Sequence, residues 1–157
     1  MAALIPWFRF LHILAALWLV GGLFAGPVVR AQIRRSNELA EQAFGLRLVW
    51  RLAAVFVVPG MLLTGLLGFH LIGVLHYPFS MMWIHGSVGL WAVLLLVTLF
   101  YSVPRARAAA RAAEASVQAG AATPELRAAL AAKLPGILWD VTALGTVILA
   151  LLMVLKP

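Results

Sequence analysis

The chain has 157 residues, 64% of them hydrophobic and 11% charged, with no cysteine and a formal charge of +7; its mean hydropathy is +1.04 and its pI about 11.4. Such a composition excludes a soluble globular domain, whose surface needs far more polar residues. The missing cysteine removes disulfides, thiolate metal sites and cysteine nucleophiles. The basic balance does not point to nucleic acid, because the cations gather in two segments between apolar blocks, where positive charge fixes membrane orientation and meets anionic lipid.

A helix crosses the hydrocarbon layer in about 20 residues, and four blocks are long enough, at about 4–29, 52–75, 79–103 and 134–155. The first has an uncharged run of 20 residues (10–29), longer than the apolar core of a cleaved signal, so it reads as a retained span. The segment after it carries Arg30, Arg34, Arg35, Arg47 and Arg51 and predicts a short amphipathic helix, with Asn37 as N-cap and Glu38 and Glu41 near its positive end. In the second span Gly60, Thr64 and Gly68 recur every four residues, a spacing that lets helices pack closely. Pro59 predicts a kink there. After the third span, the Ala/Arg run 105–119 extends that helix as a solvated connector, Gly120 stops it, and Thr123-Pro124-Glu125 starts another.

Ten of the twelve cations lie in the two longer connections; Arg9 and Lys156 lie on the opposite side. The positive-inside rule then puts both connections in the cytoplasm and both termini outside, as in a bacterial-type inner membrane. Trp7, Tyr77 and Trp83 form an aromatic belt at the outer boundary. The expected architecture is all-α: an integral membrane four-helix bundle with an amphipathic cytoplasmic helix in loop one and a helical cytoplasmic connector in loop three.

The residues with chemistry are four histidines and one acid. His12, His70 and His85 fall about 7–10 Å below the outer boundary, taking 1.5 Å of rise per residue, and His76 lies in the turn. His12 opens a stripe of small residues (Ala15, Leu19, Gly22, Gly26), and His85 opens another (Gly89, Ala92, Leu96). Ionisable side chains within spans are commonly turned inward and functional, although a lone His near a helix end also serves as an interfacial hydrogen-bonding group. Two imidazoles at matching depth with glycines beside them suit a haem b held between helices one and three. His12 and His85 would be its axial ligands, Gly22 and Gly89 would accept the ring, and Arg9 would face the propionates. His70 is the next candidate ligand. The Met81-Met82 pair with the histidines admits copper as the alternative. Asp140, the one acid inside a span, should be paired, with Arg47, Arg51 or Arg105 in reach, or else act in a proton relay.

The run Phe10-Leu11-His12, with Gly22-Leu23-Phe24 and Pro27 following, resembles the opening helix of the HemJ-type protoporphyrinogen oxidases, and Trp83-Ile84-His85 resembles that family's Trp-Leu-His. CopD-like copper-resistance domains share the four-helix plan and the early histidine. The resemblance implies a haem b in the bundle and oxidation of protoporphyrinogen IX, with electrons passed to quinone. One position departs: Ser87 stands where the HemJ pattern has a lysine two residues after the third-helix histidine. The competing expectations are a copper-handling domain and a non-catalytic subunit of a homo-oligomer or larger membrane complex.

Overall fold

The computed structural model describes residues 4–156, so Met1 to Ala3 and Pro157 lie outside the described residues. Its elements are α1 (Ile5–Arg35), α2 (Leu39–Val74), α3 (Met82–Ala119), α4 (Pro124–Ala131) and α5 (Leu134–Leu155). Among the described residues there is no strand, and α1, α2, α3 and α5 are each long and apolar enough to cross a bilayer. The expected all-α four-helix plan is the observed one.

Two of these helices are longer than the expected spans. The amphipathic helix of the first connection is not separate: Leu39–Arg51 runs straight into the second span, because nothing between Arg51 and Leu52 breaks a helix. Likewise, the Ala/Arg run continues the third span to Ala119. Each long helix contains one π-helical turn, Leu52–Val57 in α2 and Thr98–Ser102 in α3, and each turn ends two residues before a proline, Pro59 and Pro104. Proline lacks an N–H, and its ring collides with the carbonyl four residues back; a turn widened by one residue relieves that clash.

Around the bundle, α1 packs along α2 on one side and against α5 on the other, while α3 packs against α5. The apolar core consists of Leu19 and Leu23 of α1, Val57 and Met61 of α2, Leu94 of α3, and Trp139 and Leu149 of α5. Glycines set the spacing. A Cβ on Gly60 would lie 2.8 Å from the Leu19 Cα, so α1 and α2 meet almost backbone to backbone, and one on Gly145 would lie 2.7 Å from the Leu94 side chain. Without a hydrophobic driving force between helices in lipid, such close dispersion contact is what holds spans together. Leu17, Leu66, Phe100 and Val154 are exposed on the outside of the bundle, as a lipid-facing surface requires.

Beyond the basic end of the bundle, the extensions of α2 and α3 pack against each other and carry α4. The expected solvated connector is therefore a packed layer with its own core of Ala43, Ala113 and Leu126, and Arg47 pairs with Glu114 across it at 3.1 Å. Its local stops follow the expected chemistry. Gly120 takes the left-handed conformation (φ 67°), and the Thr123 hydroxyl caps α4 by accepting the Leu126 N–H at 3.3 Å. Fully buried Ser116 clasps this turn, lying 3.0 Å from the Thr123 hydroxyl and accepting the Thr123 N–H at 3.1 Å. At the first connection the cap differs from expectation. Glu38, not Asn37, is the N-cap and no side chain caps the first turn; Ser36 Oγ accepts the Glu38 N–H at 3.1 Å, and Gln42 reaches back to the Ser36 carbonyl at 2.8 Å.

Candidate functional site

At the end opposite the basic layer, α2 closes with His76 in the left-handed region (φ 55°). The Tyr77 N–H bonds back to the Ile72 carbonyl at 3.1 Å and the His76 N–H to Gly73 at 3.1 Å, the Schellman pattern usually built on glycine. His76 is a turn residue. Beside it, Tyr77 meets Trp83 edge to face at 5.6 Å, and Lys156 lies 5.4 Å above the Tyr77 ring. Tyr77 and Trp83 of the expected belt thus clasp the α2–α3 turn to the end of α5, while Trp7 is exposed and meets Phe10 edge to face.

His12 sits half-buried in the α1–α2 seam. Gly68 makes the room: a Cβ there would lie 3.2 Å from the imidazole Cε1. The ring approaches the Thr64 backbone, but its buried Nδ1 completes no hydrogen bond, and neither does the buried Thr64 hydroxyl. The Gly60-Thr64-Gly68 motif thus does two things, seating the α1 backbone at Gly60 and the imidazole at Gly68. His70 is exposed, with its ring 4.2 Å from that of Phe8. Arg9 is also exposed.

The two small-residue stripes do not face each other. Along α1, Gly22 meets Phe56 of α2 (2.5 Å from a Cβ built there) and Gly26 lies under the Trp139 ring of α5. On α3, the buried face is Ile84, Ser87 and Leu94, whereas His85, Gly86 and Gly89 are exposed, with nothing within 4 Å of a Cβ on either glycine. The reason is topological. Helix α1 uses its small residues to approach α2 and α5, and the Met82–Val97 part of α3 is packed chiefly on α5. His12 thus lies half-buried in the α1–α2 seam and His85 on an exposed face of α3, and among the described residues no three His, Cys, Asp or Glu side chains gather as metal ligands do.

At the basic end Asp140 has a partner, and it is none of those expected. Arg30 of α1 pairs with it, because α5 packs against α1 and brings the two side chains level. Arg47 is committed to Glu114, and Arg105 stacks over Tyr101 at 5.5 Å. Arg30 also lies over the Trp139 ring, 5.6 Å from its centroid.

Sequence reasoning missed a second function for the tryptophans. The Trp139 indole N–H donates to the Leu23 carbonyl at 2.8 Å, and Trp18 donates to the Val55 carbonyl at 3.0 Å. Leu23 and Val55 stand four residues before Pro27 and Pro59, so each carbonyl lacks the N–H that an ordinary helix residue would offer. A neighbouring helix supplies the missing donor. Trp91 also bonds a carbonyl of a neighbouring helix, that of Met61 at 3.0 Å with its ring lying on Gly65, but no proline removes a donor there. The signal in the sequence was the prolines themselves, each of which announces an acceptor that needs a donor.

Comparison with curated proteins and with solved structures found no match. A family model does match, over residues 6–157, nearly the whole chain. With its four apolar spans and all-helical bundle, the chain belongs to the family described as predicted integral membrane protein (DUF2269).

Proposed function

We propose that this protein is a haem-binding membrane redox protein in which His12 is the iron ligand. The observation that carries the reading is the unpartnered pair of buried polar groups, His12 Nδ1 and Thr64 Oγ1, in an apolar helix seam. Buried polar atoms normally have partners, and an ionisable side chain retained within a span ordinarily serves a ligand or a transported species. The imidazole approaches the Thr64 backbone, and a haem iron would take the ring nitrogen that this contact leaves free, the usual division of labour between the two nitrogens. Haem would supply one-electron chemistry there. His85 does not fit as the second ligand of the same iron, since it lies on a separate, exposed face, so the proposed ligation is by one imidazole.

A copper site has less support, as no three ligating side chains gather among the described residues and Met82 is 85% exposed. The resemblance to protoporphyrinogen oxidases extends the proposal to oxidation of that tetrapyrrole, with quinone as acceptor. Against this extension, the residue at the lysine position is the buried Ser87. The cation distribution supports a cytoplasmic position for the basic layer.

Purification in mild detergent followed by absorption and EPR spectroscopy tests the reading. A Soret band with high-spin ferric iron is expected in the wild type and in His85→Ala, with loss of the band in His12→Ala. Protein that takes up no haem even when reconstituted with haemin refutes the proposal, as does a His12→Ala variant with an unchanged spectrum. A low-spin spectrum abolished by His85→Ala would restore the two-histidine ligation expected from the sequence.

A further inference from the structure

The two π-turns lie at one level of the bundle, and a small void opens between them, lined by Ala53 and Val57 of α2, Thr98 and Ser102 of α3, Leu23 of α1, and Trp139 and Thr142 of α5. Thr142 places it about 12 Å from the Leu134 end of α5 and about 20 Å from the Leu155 end. The void has about the room one water needs. Its lining is largely apolar, with three hydroxyl-bearing residues, Thr98 and Ser102 of α3 and Thr142 of α5. Ser102 is 7% exposed, and its buried Oγ has no hydrogen-bond partner. Thr98 and Thr142 are 3% exposed, and Thr142 donates its own proton to the Leu138 carbonyl at 2.8 Å, leaving its oxygen free to accept.

We propose that this void is a binding site for a single ordered water, held by the Ser102 and Thr98 hydroxyls of α3 and donating to Thr142 of α5. A buried water needs two to four polar partners, and the three hydroxyls supply them. A hydroxyl buried without a partner is costly in an apolar interior, and a bound water removes that cost at Ser102. A metal cation is the poorer occupant. No carboxylate lines the void, whereas hard cations draw on carboxylate and carbonyl oxygens. The π-turns position the hydroxyls: they place Thr98 and Ser102, at the two ends of the widened turn of α3, on the wall facing α5.

Radiolytic footprinting of the full chain in nanodiscs tests the site, because hydroxyl radicals made from a bound water oxidise the side chains touching it. Leu23 and Val57 line the void and are 1% and 2% exposed; Ile84, away from it, is fully buried. Oxidation of Leu23 and Val57 at least several-fold above Ile84 is expected in the wild type, falling to the Ile84 level in Ser102→Ala. The near-isosteric Thr98→Val gives the same readout should Ser102→Ala fold poorly. Leu23 and Val57 as unreactive as Ile84 in the wild type would show a dry void and overturn the proposal, and so would oxidation unchanged in both variants. A Tm that rises with sodium but not with choline at equal ionic strength, and that loses this dependence in Thr98→Val, would assign the site to a cation instead.

Discussion

If Trp139 serves to satisfy the carbonyl that Pro27 leaves without a donor, the two residues must be energetically coupled with a definite sign. Trp139→Phe removes the 2.8 Å bond to the Leu23 carbonyl, shrinks a ring lying on Gly26, and weakens the Arg30 stacking at 5.6 Å. The last two losses are nearly the same whatever stands at position 27. The first is not. With Pro27→Ala, the restored N–H can bond to Leu23 within α1, and losing the indole then leaves no orphan. A buried carbonyl without a donor costs about 1–3 kcal/mol, and interhelical hydrogen bonds measured within membranes reach about 1.7 kcal/mol at most. Trp139→Phe should therefore cost about 1 kcal/mol more in the wild type than in the Pro27→Ala background, about a fivefold difference in unfolding equilibrium. Reversible unfolding in mixed micelles, followed by circular dichroism, measures all four corners of the cycle. Trp91→Phe combined with Pro27→Ala is the control and should be additive, since Trp91 serves Met61. Additivity within about 0.3 kcal/mol for the Trp139 cycle would refute the compensation argument.

The same unfolding assay reads five further substitutions. Gly60→Ala should cost about 1–3 kcal/mol, because its Cβ would press on the Leu19 backbone at 2.8 Å, whereas Gly89→Ala, with open space around it, should be close to neutral. Asp140→Asn should cost about 1 kcal/mol or less, since its side chain is 60% exposed and screened; Arg30→Met should cost more, losing both the pair and the Trp139 stacking. Replacement of His76 by glycine should stabilise by up to about 1 kcal/mol by relieving a left-handed residue at φ 55°. In a right-side-out cell preparation, thiols introduced at Asn37 and Ala121 should resist an impermeant reagent; ready labelling at either would reverse the proposed orientation.

The spans were legible because an apolar block of about 20 residues has few alternatives to crossing a bilayer, and Gly120 and Thr123-Pro124 were legible because their roles are local. Pairing between helices was not. A glycine on a stripe announces close approach without naming the neighbour: Gly22 takes Phe56, Gly26 takes Trp139, and Gly89 takes nothing. For this reason the stripes under His12 and His85 looked alike in the sequence and differ in the fold. Asp140 illustrates the same limit. Charge patterning required a basic partner, but Arg30, 110 positions away, was read as a topological cation at a helix end. The merger of the loop helix with the second span was missed for a different reason, since a polar segment adjoining an apolar one looks like a boundary even where the backbone runs on unbroken.

Because α2 and α3 run unbroken from the bilayer into the basic layer, they form a pair of levers rather than two anchored spans. From Leu52, where the π-turn of α2 begins, to Leu39 is 13 residues, or about 20 Å of helix. A change of about 10° at the π-turn, carried by that arm, would move its tip by about 3.5 Å. The mutual packing of the two extensions and the Arg47–Glu114 pair tie the two arms to each other. A change in bend at either π-turn would therefore be felt at α4, which packs on the α3 arm.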